Sequence, residues 1–289
     1  MAATSVTGSG PAPGILYLVA SPIGNLEDIT FRAVRILKDC DLIACEDTRH
    51  TRKLLDRYGI EKPLVSYHDH NEATRSPELI AKLREGLNLA LISDAGTPLV
   101  ADPGYRLVAA AVAAGITLEP IPGPSAVVTA LAGSGLPTDA FRFGGFLPAK
   151  SGQRSTVLEA LKNDQATLIF FEAPHRILDT LADIDRIMGA RPVVIARELT
   201  KMHEEFLRGP AARILEILQA RDAVKGEITL LIGKAAKNEA PANEISVAHE
   251  VADCEREGLT RMDAIKTVAR RRGLSKRQLY QQVNLTPKK

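Results

Sequence analysis

Cysteine is scarce in this 289-residue chain. Cys40, Cys45 and Cys254 fall at no metal-binding spacing and form no even set for disulfides. That usage points to a reducing compartment, with the cytoplasm the simplest home. No apolar run approaches the roughly 18 residues that a membrane helix needs. Residues 1–13 lack the basic start and apolar stretch of a secretory signal, and their small, polar, Gly- and Pro-bearing composition predicts a disordered leader. Phosphate cradles are missing too, since neither G-x-x-x-x-G-K-[ST] nor G-x-G-x-x-G occurs. Gly8, Gly10 and Gly14 miss the dinucleotide spacing and precede the first predicted strand. No G-x-S-x-G elbow marks a hydrolase nucleophile. These absences argue against a nucleotide triphosphatase, a common dehydrogenase and a serine hydrolase. His68 and His70 alternate along one segment without a matching Cys or His cluster, so they read as a polar surface loop and no metal is expected.

What is present is a globular composition, 45% hydrophobic and 25% charged, with length for about two domains. The net charge of +2 hides an asymmetry. Residues 261–289 hold nine Lys/Arg and one acid, Asp263, for a charge of +8; the other 260 residues hold 28 basic and 34 acidic side chains, for −6. Basic charge gathered at one end suggests a polyanionic partner.

Apolar, β-rich runs alternate with helical spacing. Residues 15–20, 42–45, 63–66, 89–93 and 117–121 read as strands, with Gly59 and Gly86 placed to end two of the helices between them. This rhythm predicts a mostly parallel sheet covered by helices. It restarts less regularly after Pro122-Gly123-Pro124, with strands at 141–146, 167–171, 192–196 and 227–232 and helices around 154–162, 176–188 and 210–220. The expected fold is therefore α/β: an N-terminal domain over 14–122, a second over 123–234, a linker at 235–244 and a small helical module at 245–289. In that module Thr260 and Asp263 make a capping-box pattern, and Met262, Ile265, Val268 and Ala269 follow at helical spacing. Gly273 closes the helix; Ser275 and Gln278 open another, with Leu279 and Val283 inward. This resembles a helix-turn-helix. Arg270, Arg271, Arg272, Lys276, Arg277, Tyr280 and Gln281 would be available to contact nucleic acid.

The most informative stretch is Leu91-Ile-Ser-Asp-Ala-Gly-Thr-Pro-Leu-Val-Ala-Asp-Pro-Gly104. A strand ends abruptly in a Gly-bearing loop, the position where open α/β sheets bind ligands. Loops at Ser21–Asn25, Glu46–His50 and Pro122–Ala126 follow other strands and converge on the same edge. Glu172–Arg176 and Arg197-Glu198 end strands in the second half in the same way, whereas Met202–Glu205 reads as a solvated loop.

Seven of these segments, 20–30, 46–55, 93–104, 121–126, 170–176, 197–205 and 226–230, together resemble the ribosomal RNA small-subunit methyltransferase I family of the tetrapyrrole-methylase-like superfamily. Ser21 stands where the family pattern suggests Thr, and it keeps the hydroxyl. The resemblance covers roughly residues 14–233. It implies two α/β domains with a cleft between them, S-adenosyl-L-methionine bound folded in that cleft, and homodimers. The implied target is the 2′-hydroxyl of cytidine 1402 in 16S rRNA, as naked RNA or in the small subunit. It places the cofactor against Pro22, Gly24, Asp94, Ala95, Gly96, Pro98 and Leu99, with Asp94 as a polar anchor. Ser125, Ala126, Phe171, Glu172, Ala173, Ile228 and Thr229 complete that set.

A ribose hydroxyl is a poor nucleophile, so a base or cation beside it would help. Glu46, Arg49, His175 and Arg176 are the leading catalytic candidates, with Asp47, His50, Glu172 and Glu198 behind them. Arg49, Arg176 and Arg197 could instead grip RNA phosphates. Two alternatives stay open: a tetrapyrrole (precorrin-like) C-methyltransferase, which has no need of the +8 tail, and a non-enzymatic RNA-binding scaffold, for which the polar strand-end loops have no purpose.

Overall fold

The computed structural model describes residues 12–236, 247–276, 279 and 280. Most of the expected leader and linker lie outside these residues, as do Arg277, Gln278, Gln281 and Val283. The chain forms two compact units, one ending at Ala235 and the other comprising residues 236–289. Among the described residues no helix is long and apolar enough to cross a membrane.

The first unit contains two five-stranded sheets. Strands β1 (Ile15–Val19), β2 (Leu42–Cys45), β3 (Leu64–Ser66), β4 (Leu89–Ile92) and β5 (Thr117–Ile121) lie in the order β3-β2-β4-β1-β5. All neighbours are parallel. The inner strands β2 and β4 are apolar on both faces because helices cover both. Helices α1 (Phe31–Asp39) and α2 (Thr48–Arg57) pack Ala33, Ile36, Leu37, Leu54 and Leu55 against Val19, Ile43, Ala90 and Ile92. Helices α3 (Glu72–Arg84) and α4 (Tyr105–Ala113) pack Leu79, Leu83, Leu107 and Ala111 against Leu16, Ala44, Leu89 and Leu91, the alternate residues of the same strands. The helices start and stop on local chemistry. Thr30 caps α1 by accepting from the Ala33 N–H, and Gly59 (φ +60°) follows α2 in the left-handed conformation that suits a helix end.

The second sheet contains β6 (Phe141–Phe146), β7 (Thr167–Glu172), β8 (Pro192–Arg197), β9 (Glu205–Pro210) and β10 (Ile228–Ile232), in the order β6-β7-β10-β8-β9. It is mixed: β10 runs antiparallel to β7 and β8, and β9 antiparallel to β8. Helices α6 (Ser151–Ala160), α7 (Ile177–Met188) and α8 (Ala211–Gln219) cover one face around Leu168, Phe170, Ile195 and Leu230. Helix α5 (Ala126–Ser134) covers the other, where Val127, Ala130 and Leu131 meet Ile169, Val194 and Leu231.

The expected solvated loop at Met202–Glu205 holds up to Glu204, and strand β9, which the sequence pattern does not suggest, begins at its last residue. Its Gly209-Pro210 end and charged Glu205 and Arg208 disguise an edge strand, the position where a sheet tolerates proline.

In the second unit, α9 (Val247–Arg256) and α10 (Arg261–Arg272) enclose a small core of Val251, Cys254, Ala264, Ile265, Val268, Ala269 and Leu279. Thr260 caps α10 as expected, accepting from the Asp263 N–H. Met262 is exposed, and Ala264 joins Ile265, Val268 and Ala269 on the inner face.

Candidate active site

Strands β1 and β4 are neighbours, but the chain leaves them in opposite directions, from β1 to β2 and from β4 to β5. Such a reversal of strand order opens a crevice at the carboxyl edge of a parallel sheet. The two loops that rim it are joined by backbone. The Ser21 N–H donates to Gly96 O at 2.9 Å, and the Gly96 N–H donates to Ser21 O at 3.0 Å. Both hydroxyls reinforce this bridge, Ser21 donating to Ser93 O and Ser93 to Gly96 O, each at 2.9 Å. Further along, Thr97 donates to Pro124 O at 3.3 Å, tying the β4 loop to the loop before α5.

A cavity of about 370 Å³ opens beside this bridge. Ala95, Gly96, Thr97, Val100, Ala101 and Asp102 form one wall. Ser125 and Ala126, at the start of α5, form another. The second sheet contributes Phe171 and Glu172 at the end of β7, Ala173 just beyond it, Ala196 on β8 and Thr229 on β10. The register explains this convergence, since Ile228 at the start of β10 pairs with Glu172 at the end of β7 and Arg197 at the end of β8. A smaller cavity of about 200 Å³ lies against Pro22, Gly24, His50, Lys53, Ser93 and Asp94. Ile23, Ala95 and Glu227 line both cavities.

Of the residues expected at a cofactor, Ala95, Gly96, Ser125, Ala126, Phe171, Glu172, Ala173 and Thr229 line the larger cavity. Pro22, Gly24 and Asp94 line the smaller one. Pro98, Leu99 and Ile228 line neither. Leu99 packs on the first sheet's core instead, and Ile228 is a core residue of the second. Asp94 accepts from the Asp47 N–H at 3.2 Å, which ties the loops after β2 and β4 together. Gly24 is required by packing: a Cβ there would lie 2.5 Å from Lys201 Cγ and 2.8 Å from Thr200 Oγ1.

The catalytic candidates are more dispersed. Glu46 is exposed at the end of β2, and partial desolvation, then the Asp94 and Asp69 carboxylates, raises its pKa. Arg49 is exposed and bound to Asp47, whose pKa its guanidinium holds down at about 2. His175 is exposed, outside both cavities. Arg176 is committed to Glu172 at 2.6 Å. That carboxylate is fully buried and also accepts from Thr180 Oγ1 and the Ala173 N–H, each at 2.7 Å. Arg197 is likewise engaged, by Glu205 at 3.1 Å and by Lys225 O at 3.0 Å. These two arginines thus pin the ends of β7 and β8.

Sequence reasoning missed Asp102, Phe146 and Leu199, all of which line the larger cavity. Asp102 sits in Asp-Pro-Gly, which reads as an ordinary turn. Phe146, at the end of edge strand β6, stacks edge-on against Phe171 with centroids 5.6 Å apart. Among the described residues no cluster of His, Cys, Asp or Glu could hold a metal ion.

In the second unit, Arg272 pairs with Glu250 at 2.6 Å, while Arg270, Arg271 and Lys276 are exposed.

The sequence profile of the family described as Tetrapyrrole (Corrin/Porphyrin) Methylases matches residues 15–215. A protein of Halalkalibacterium halodurans named ribosomal RNA small subunit methyltransferase I is 50% identical over 272 residues, spanning 92% of this chain and 93% of that one. A protein of the same name from Mesorhizobium japonicum is 54% identical over 235 residues, 81% of this chain and 80% of its own. Among solved structures, uroporphyrin-III-C-methyltransferase from Thermus thermophilus superposes with a TM-score of 0.55 at 22% identity, over 77% of this chain and 95% of that one. Diphthine synthase does so with a TM-score of 0.60 at 15% identity, over 76% and 90%. At those identities the two structures share the fold alone.

Proposed function

The chain belongs to the ribosomal RNA small subunit methyltransferase I family and is a methyltransferase, and from that premise we propose that it methylates small-subunit ribosomal RNA with S-adenosyl-L-methionine as donor. The acceptor in this reading is the ribose 2′-hydroxyl of cytidine 1402 in 16S rRNA.

The observation that carries the reading is the larger cavity at the β1/β4 crevice, and its chemistry suits such a donor. Its volume of about 370 Å³ falls within the range of small-molecule sites. Small side chains, Ala95, Gly96, Ala101, Ser125 and Ala126, leave backbone open to a ligand, and Phe146 and Phe171 offer apolar faces. The carboxylates in its wall suit a cationic centre, and the first-turn amides of α5, which lack intrahelical partners, suit a carboxylate.

Once bound, the donor supplies an electrophilic methyl group on a sulfonium, so in-line positioning gives much of the rate. The bridge between Ser21 and Gly96 holds the floor of the site in place before any ligand arrives. Glu172, with Arg176 and Thr180, keeps the end of β7 at the cavity wall. The exposed cations of α10 meet RNA phosphates, in keeping with the +8 tail. A homodimer and a cytoplasmic location complete the reading.

The test is incubation of the protein with methyl-labelled S-adenosylmethionine and small ribosomal subunits, followed by mapping of the label. Resistance of one phosphodiester to alkaline cleavage, at the nucleotide that carries the label, is the expected result. Label on a base, with every phosphodiester still cleaved by alkali, overturns the reading.

A further inference from the structure

Helix α2 carries Arg49, Arg52, Lys53 and Arg57 against one acid, Asp56, a charge of +3 in ten residues. Outside it, residues 1–260 hold 24 basic and 33 acidic side chains, for −9. The helix is thus a cationic element on an acidic body. Thr51, Leu54 and Leu55 form its buried side, and Arg49, His50, Arg52, Lys53 and Arg57 form an exposed arc. Helical spacing stacks Arg49, Lys53 and Arg57 one turn apart, along about 12 Å.

This arrangement breaks two local rules. Like charges four residues apart weaken a helix, and cations in its first turn oppose its dipole. Asp47 answers only part of this, capping the helix at the Arg49 N–H and holding the Arg49 guanidinium at 2.8 Å. Arg52, Lys53 and Arg57 have no acidic partner among the described residues. Residues that break a local rule with no gain in stability mark a functional surface. The arc also leads to a cavity. His50, Thr51 and Lys53 line the smaller cavity with Ser21, Ser93 and Asp94. The carboxylates of Asp94 and Glu227 disfavour an anion in its interior, which leaves the α2 side for one. Thr51 is 2% exposed, and its hydroxyl finds no partner better than the Cys45 thiol. A buried hydroxyl in that state suits a polar ligand.

We propose that the exposed face of α2 docks the phosphate backbone of the substrate RNA strand, and that the acceptor nucleotide enters the smaller cavity beside it. The inference rests on the hydroxyl-acceptor reading above. A ribose 2′-oxygen is vicinal to the 3′-phosphate, so a site that presents this hydroxyl to a methyl donor must also seat a phosphate close by. Lys53 and His50 supply that seat, in the wall of a cavity that shares Ile23, Ala95 and Glu227 with the larger one. Arg52 and Arg57 continue the contact along the strand, each able to grip a phosphate with two hydrogen bonds. The uncharged sugar and base fall to the end lined by Asp94 and Glu227, where carboxylates accept from hydroxyl and amino groups. Arg176 and Arg197, engaged at the ends of β7 and β8, leave the phosphates to α2.

Full-length wild type, the pair Lys53→Gln/Arg57→Gln and a charge-matched control pair, Lys82→Gln/Arg84→Gln, test this. Lys82 and Arg84 are exposed on α3, across the first sheet from α2. Binding to unmethylated small ribosomal subunits is measured between about 50 and 200 mM salt. The α2 pair should weaken binding about tenfold or more at low salt and flatten the slope of log affinity against log salt by about 1.5. The control pair should keep the wild-type affinity and slope, and calorimetry should find donor binding unchanged in both pairs. At saturating subunits, Lys53→Gln alone should slow single-turnover methylation about tenfold, because the ribose loses its seat, while the control pair keeps the wild-type rate. An α2 pair with wild-type affinity and slope, an equal loss in the control pair, or a wild-type rate for Lys53→Gln overturns the inference alone. Wild-type label on a base, with every phosphodiester still cleaved by alkali, overturns the acceptor reading and the inference with it.

Discussion

At the scale of single residues, the candidate site is governed by which charges have partners. Glu172 is the clearest case, buried with one cation and two further donors. Removing the cation leaves a carboxylate stranded in the interior, and breaking such a pair costs about 3 kcal/mol or more. Arg176→Ala should therefore lower the urea midpoint with little change in slope, and an unchanged midpoint would refute the pinning role. Glu205 predicts an acid limit to stability. Arg221 and then Arg197 hold its carboxyl at about 2 in the folded chain, against about 4.3 for a free glutamate. A depressed folded pKa stabilises above the unfolded value and is lost as pH falls toward the folded one. The stability gap between wild type and Glu205→Gln should be full at pH 5 and shrink steadily to pH 2; a constant gap would exclude this coupling. Spacing alone gave a hint of the Glu172–Arg176 pair, which sit four residues apart. It gave none of Asp102's place on the cavity wall, because Asp-Pro-Gly reads as an ordinary turn.

At the scale of elements, loops and helices divide the work. The tail helix α10 carries Arg270 and Arg271 exposed in its last turn, with Lys276 just beyond. A chain ending at Ala235 keeps both sheets, so donor binding should persist while affinity for substrate RNA falls. Each lost phosphate contact removes about 0.7–0.9 from the slope of log affinity against log salt. Losing three should flatten that slope by about 2, and an unchanged slope would separate the tail from RNA binding. The strands of the first sheet were legible because each apolar run stops at Gly, Pro or a polar pair. The capped helix α10 was legible through Thr260, Asp263 and Gly273. Strand β9 was not, because an edge strand needs neither a continuous apolar run nor freedom from proline. The Ala-, Gly- and Ser-rich wall of the cavity showed itself through its turn residues, whereas Phe146 and Leu199 came to it only through the second sheet's register.

At the scale of the whole molecule, the two units differ in how much core they possess. Among the described residues, the body builds several apolar clusters around ten strands, while the second unit encloses a core of seven. A core that small supports only marginal stability. Native-state hydrogen exchange should find the amides of α9 and α10 opening at a lower free energy than those of β7 and β10. Equal protection in both sets would show that the second unit draws its stability from elsewhere. The number of sheets was visible as a broken rhythm, but their facing edges were not, because antiparallel β10 brings its start, and not its end, to the site.

The bridge between Ser21 and Gly96 has one more consequence. Its two ladder bonds are made by N–H and C=O groups that every residue except proline possesses. The floor of the crevice is thus written first in chain path, with Gly96 (φ +81°) permitting that path and the Ser21 and Ser93 hydroxyls reinforcing it. Substitutions at the walls should therefore change what the cavity admits while leaving that floor in place.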